Sequence, residues 1–179
     1  LQRICIESEQ CSRLGGPENI QIAKEFILNK IEGVRMDEWK PYQHKVQYYE
    51  TDQMGIVHHS NYIRWFEEAR TDYMEQMGMG YDQMEEKGII SPVLSVEAEY
   101  LRMVHFGDTV TIETFVKEYN GVKLTVGYEV ISSKTQMVCC RGFTRHCFLN
   151  REGKPLSLKR TCLDFHNMFA KGLEDHKNK

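Results

Sequence analysis

Asp52, Gly55 and His59 are spaced as a carboxylate, a turn and an imidazole would be at the mouth of a helix. They lie in the stretch Tyr49-Glu50-Thr51-Asp52-Gln53-Met54-Gly55-Ile56-Val57-His58-His59-Ser60-Asn61-Tyr62. Gly55 permits the tight backbone path such a loop needs. His59 falls at or just before a helix N-terminus, where the first backbone N–H groups have no intrahelical partner. A carboxylate, an imidazole and N–H donors aimed at one anion suit attack on a thioester. The carbonyl oxygen gains negative charge as the nucleophile adds, and losing one fixed donor costs roughly 2.7–4 kcal/mol of barrier. The helix dipole favours the same charge. The carboxylate either attacks directly or takes a proton from water.

These residues need a strand before them and a helix after them. His44 to Glu50 reads as the strand, with Val46 and Tyr48 on one face. Ser60 to Met77 reads as the helix, because Tyr62, Trp65, Phe66, Ala69, Tyr73 and Met77 fall at helical spacing. Ser60 or Asn61 is the expected cap, and Gly78 and Gly80 the stop. A short helix over Tyr81 to Lys87 follows. Strands are expected over Val93 to Leu101, Thr109 to Lys117, Val122 to Ile131 and Met137 to Leu149. In the first of these, Leu94, Val96, Ala98 and Tyr100 share a side. Asn120-Gly121 marks a hairpin, and a last helix is expected over Leu158 to Ala170. A strand, a long helix and four strands in meander make an α+β fold: a five-stranded, mostly antiparallel sheet wrapped around one long helix.

A chain of 179 residues with net charge −3 lacks the basic excess of a general nucleic-acid binder. No apolar run approaches the roughly 20 residues of a membrane helix. Leu1 to Gln10 does not read as a secretory signal. Cys5, Cys11, Cys139, Cys140, Cys147 and Cys162 form no Cys-x-x-Cys pair, so free thiols in the cytoplasm are expected. Residues 1–37 read as an N-terminal extension. One reading gives it a helix around Ile20, Ala23, Ile27 and Ile31; another starts translation at Met36. Residues 38–179 read as the domain.

Within that domain, Glu50 to Tyr62 resembles the 4-hydroxybenzoyl-CoA thioesterase-like branch of the hotdog superfamily, most closely the Tol-Pal-associated acyl-CoA thioesterases. Trp65-Phe66-Glu67-Glu68-Ala69-Arg70, Tyr100-Leu101-Arg102 and Phe106-Gly107-Asp108 extend the likeness over about residues 40 to 170. The resemblance implies a hotdog fold, acyl-CoA hydrolysis and a homodimer or homotetramer with sites at the subunit boundary. Coenzyme A is then part of the substrate and no separate cofactor is needed. Asp52 takes the family's catalytic carboxylate position. His59 takes the helix-start position where a backbone N–H polarises the thioester; a His there favours short aliphatic acyl groups. Gly55, Val57, Asn61 and Tyr62 are the expected substrate-side positions, with Gly55 and Asn61 shaping loop and cap. Glu50 stands where Asp is more usual and is expected to support the loop.

Competing readings attach to several residues. His58 reads as a packing or surface residue, and adjacent histidines on a loop diverge too far for a metal site. Cys139, Cys140 and Cys147 lack an activating environment for nucleophilic work. Arg102, Arg141 and Arg145 are not assigned to CoA phosphates. A hotdog hydroxyacyl dehydratase and a noncatalytic acyl-CoA-binding module are the rival functions.

Overall fold

The first strand is shorter than its sequence pattern. In the computed structural model, which describes residues 39–178, β1 runs Tyr42–Lys45 and the chain then turns through a 3-10 segment, Tyr48–Glu50. Val46 is buried, but Tyr48 and Tyr49 stand 78% and 77% exposed, so the expected shared face of Val46 and Tyr48 is not formed. The cause is Glu50, whose carboxylate draws back onto the Gln47 N–H and tightens the turn.

Beyond the loop come helix α1 (His59–Gln76), helix α2 (Tyr81–Glu86) and strands β2 (Val93–Tyr100), β3 (Thr109–Tyr119), β4 (Lys123–Ser132) and β5 (Val138–Cys147). Helices α3 (Leu158–Thr161) and α4 (Leu163–Lys177) end the chain, so the expected last helix is broken at Cys162 and runs further. All these elements lie in the unit Lys40–Lys179. The expected N-terminal extension and its helix lie outside the described residues.

One five-stranded sheet has the order β1-β3-β4-β5-β2, every pairing antiparallel. Strands β3, β4 and β5 form the expected meander. Strand β2 departs from it and pairs with β5 rather than β3, Ala98 opposite Gly142. Residues 101–108 cross the domain instead of turning a hairpin. Leu101 and Arg102 both donate to the Cys139 carbonyl, Val104 O accepts from Val57, and Asp108 O accepts from Val46. That crossing leaves β2 at an edge. Its apolar Val93, Leu94, Val96 and Tyr100 are exposed rather than in the core.

Asn120-Gly121 does turn β3 into β4: Asn120 Oδ1 accepts from Val122 and Lys123, and Gly121 takes φ 90°. Helix α1 buries Tyr62, Trp65, Phe66, Ala69, Tyr73 and Met74 against the sheet. Each large side chain so buried contributes about 1.5–3 kcal/mol. The Phe66 ring stacks on Tyr128 at 4.5 Å. It fits because Gly142 has no Cβ; one placed there would stand 2.3 Å from the ring.

Candidate active site

The loop carrying Asp52 is closed on itself and fastened to the start of α1. Thr51 pairs with Val57 across an antiparallel bridge. Asp52 N donates to Ile56 O, and Gly55 N to Asp52 O, both at 2.9 Å. Gly55 has φ 75°, where a side chain is strained. One oxygen of the half-buried Asp52 carboxylate, Oδ1, accepts the Met54 N–H at 2.8 Å. Oδ2 has no partner among the described residues.

Glu50 O fixes the other side of the loop. It accepts His58 N at 2.8 Å and Asn61 Nδ2 at 2.7 Å. Asn61 is therefore buried and occupied by the main chain, and the cap expected from Ser60 or Asn61 is provided by His58. His58 Nδ1 accepts from Ser60 N at 3.4 Å and pairs with the Ser60 hydroxyl at 2.8 Å. A histidine is uncommon as a cap, which is why residue type alone passed over it.

His59 is the first residue of α1, and its backbone N–H has no protein acceptor among the described residues. Its exposed ring lies 4.1 Å from that of His58 and 6.4 Å from that of Tyr100. Its carbonyl accepts the Tyr100 hydroxyl at 3.1 Å. Val57 is buried with its N–H committed to Val104 O. Tyr62 is buried beside Tyr100, its ring edge-on at 5.2 Å, and burial pushes its phenol pKa up. Sequence spacing thus brings Asp52, Gly55, Val57 and His59 into one closed loop. Neither Tyr100 nor the Glu50 side-chain contacts carried a signal beyond their place in the family motifs.

Two surface concavities lie elsewhere. One of about 560 Å³ is lined by Tyr42, Asp72 and Gln76, and one of about 280 Å³ by Leu94, Glu118 and Arg145. Neither is lined by Asp52; Met54 in its loop is exposed, as are Met103 and Phe106 on either side of His105, which bridges to Ile56. Cys139 and Cys140 are buried, and burial pushes the Cys140 thiol up to about 12. Among the described residues no helix is long and apolar enough to cross a membrane. Nor do three or more His, Cys, Asp or Glu gather there in a group able to hold a metal ion.

Residues 46–168 match the model of the Thioesterase-like superfamily. The chain belongs to this family. With it comes membership of the thioester hydrolases. A Bacillus subtilis (strain 168) relative named "Putative acyl-CoA thioesterase YneP" is 34% identical over 128 residues, 71% of this chain and 92% of the relative. The 4-hydroxybenzoyl-CoA thioesterase of Pseudomonas sp. (strain CBS-3) is 31% identical over 80 residues, 43% of this chain and 57% of that enzyme. Among solved structures, a DHNA-CoA thioesterase from Staphylococcus aureus superposes with TM-score 0.73 at 31% identity, covering 78% of this chain and 95% of that one. The five-stranded antiparallel sheet and its helices are the hotdog architecture of this thioesterase family.

Proposed function

We propose that the chain hydrolyses acyl-CoA thioesters to a free acid and CoA at a site between Asp52 and the start of α1. The observation that carries this is the His59 N–H at the tip of an 18-residue helix, which has no acceptor among the described residues. The cap before it, His58, is tied to Glu50, two residues from the Asp52 carboxylate, whose Oδ2 has no partner among the described residues.

The thioester carbonyl oxygen points at the His59 N–H, where the helix dipole and the donor favour the oxyanion. Asp52 Oδ2 either adds to the carbonyl carbon or takes a proton from an adding water. In the first case the C–S bond breaks as an acyl-aspartate anhydride forms; water then cleaves the anhydride and restores the carboxylate. In the second the water oxygen becomes part of the acid directly. Both routes release CoA as its thiol. The His59 imidazole orients the carboxylate or the substrate. An imidazole at that position is the ground for proposing short aliphatic acyl groups.

A second copy completes the cleft. Among the described residues the outer edge of β2 pairs with no other strand, and this edge strand with its exposed Val93, Val96 and Tyr100 supports pairing with a second copy there.

A thiol-release screen across short, long and aromatic acyl-CoAs tests the reading. Release of CoA thiol supports it. Conversion of the acyl chain without thiol release indicates a dehydratase, and tight binding without turnover a sensor; either result overturns it.

A further inference from the structure

Glu50 stands two residues before Asp52, and its side chain is almost sealed from solvent. Three donors converge on it from different parts of the chain. Gln47 N and His44 Nε2 meet Oε2 at 2.7 and 2.9 Å, and Trp65 Nε1 meets Oε1 at 2.7 Å. Burial alone raises the pKa of a carboxyl; here the donors outweigh it and hold Glu50 below its ordinary value. Its main-chain carbonyl meanwhile holds His58 N and Asn61 Nδ2. One residue therefore joins β1, the 3-10 turn, the middle of α1 and the start of α1.

We propose that Glu50 is a positioning residue for the hydrolysis: its carboxylate sets where Asp52 stands relative to the His59 N–H. The inference rests on the site assigned under the proposed function. It turns on the charge type of the side chain. Both oxygens of a carboxylate accept, so it satisfies an amide N–H and an indole N–H together. A carboxamide at 50 would turn an NH₂ toward either Gln47 N or Trp65 Nε1, and neither donor can become an acceptor. His44 has no slack to compensate, because its other nitrogen lies 3.6 Å from Glu68, which also takes the Tyr42 hydroxyl at 3.0 Å. The loop must then shift. A displacement of about 1 Å between reacting groups costs on the order of 10²-fold in rate. The loss falls on kcat, because the sealed Glu50 side chain is not available to bind substrate directly.

The test measures kcat and KM per folded molecule for Glu50→Gln and Glu50→Asp, with thermal unfolding recorded beside them. The expected result for Glu50→Gln is a kcat at least about tenfold lower at a KM within about threefold. Glu50→Asp, which keeps both acceptors on a shorter arm, recovers part of the loss. A role in stability alone would lower the melting temperature and leave kcat of the folded fraction unchanged; that result overturns the proposal. Should Glu50→Gln not fold, Trp65→Phe decides, since it removes the Oε1 donor and keeps an aromatic ring in the core. A kcat about threefold lower or more supports the proposal, and an unchanged kcat overturns it. Asp52→Asn is run beside them. Full activity in Asp52→Asn overturns the site itself. A dead Asp52→Asn next to a fully active Glu50→Gln overturns the positioning role alone.

Discussion

The Tyr100 hydroxyl donates to the His59 carbonyl at 3.1 Å. The last residue of β2 thereby holds the first residue of α1, so the edge strand is tied to the helix start that follows the Asp52 loop. The same ring stands edge-on to Tyr62 at 5.2 Å. Removing the hydroxyl leaves the packing and frees the helix start. Tyr100→Phe is expected to lower kcat by about three- to tenfold while changing stability by only about 1 kcal/mol. Thiol-release kinetics beside a denaturant titration check this; an unchanged kcat would disconnect Tyr100 from the site.

The loop geometry of the candidate site was legible because its residues are local. Asp52, Gly55 and His59 sit within eight positions, and the strand-to-helix junction follows from the periodicity on either side. The parts that were not legible depend on distant partners. Tyr48 reads as a strand residue until Glu50, held by Trp65 and His44, pulls the chain into a 3-10 turn. Strand β2 reads as the first of a meander, since alternation carries no information about which neighbour a strand takes. Its partner is set by residues 101–108, whose Leu101 and Arg102 amides go to Cys139 and whose Val104 carbonyl takes the Val57 N–H. Leu94, Val96 and Tyr100 share a side as the pattern requires, but all three stay exposed among the described residues, and only Tyr100 is shown against α1.

Gly142 is a packing requirement. An added Cβ would meet the Phe66 ring at 2.3 Å and the Glu97 carbonyl at 2.9 Å. The ring cannot yield, being stacked on Tyr128. Gly142→Ala is expected to destabilise the fold by about 1–3 kcal/mol, read as a lower denaturation midpoint with an unchanged slope. Wild-type stability would show that Phe66 has room to move.

His146 makes stability depend on acid. It is buried between Arg70 at 3.2 Å and Thr144 at 2.8 Å. Burial first, and the Arg70 charge next, push its pKa down to about 4; hydrogen bonding of the ring to the Ser91 and Pro92 carbonyls works against this. Above pH 6.5 both folded and unfolded chains carry it neutral. Between 6.5 and about 4 the unfolded chain takes up a proton that the folded chain refuses. Stability therefore falls as pH drops through that window, by about 3 kcal/mol in total, and this contribution is flat below it. Denaturant titrations of wild type and His146→Gln across the window measure the difference; equal pH slopes would contradict it.

Cys139 and Cys140 have thiols pushed up by burial, Cys140 to about 12. Thiolate is the reactive form, so at pH 8 iodoacetamide is expected to leave both unmodified in the folded protein and to label both after unfolding. Peptide mass spectrometry reads the sites. Rapid labelling of either in the native state would reopen a cysteine nucleophile.

The proposed hydrolysis depends on the Asp52 carboxylate acting beside the His59 N–H. The most direct measurement is the turnover of Asp52→Asn on an acyl-CoA that the wild type hydrolyses, with binding of the same ester followed separately. An amide in place of the carboxylate can neither attack nor take a proton. The expected result is a kcat lower by about 10³-fold or more at nearly unchanged affinity. A kcat within about tenfold of wild type would place the chemistry on another group and contradict the account.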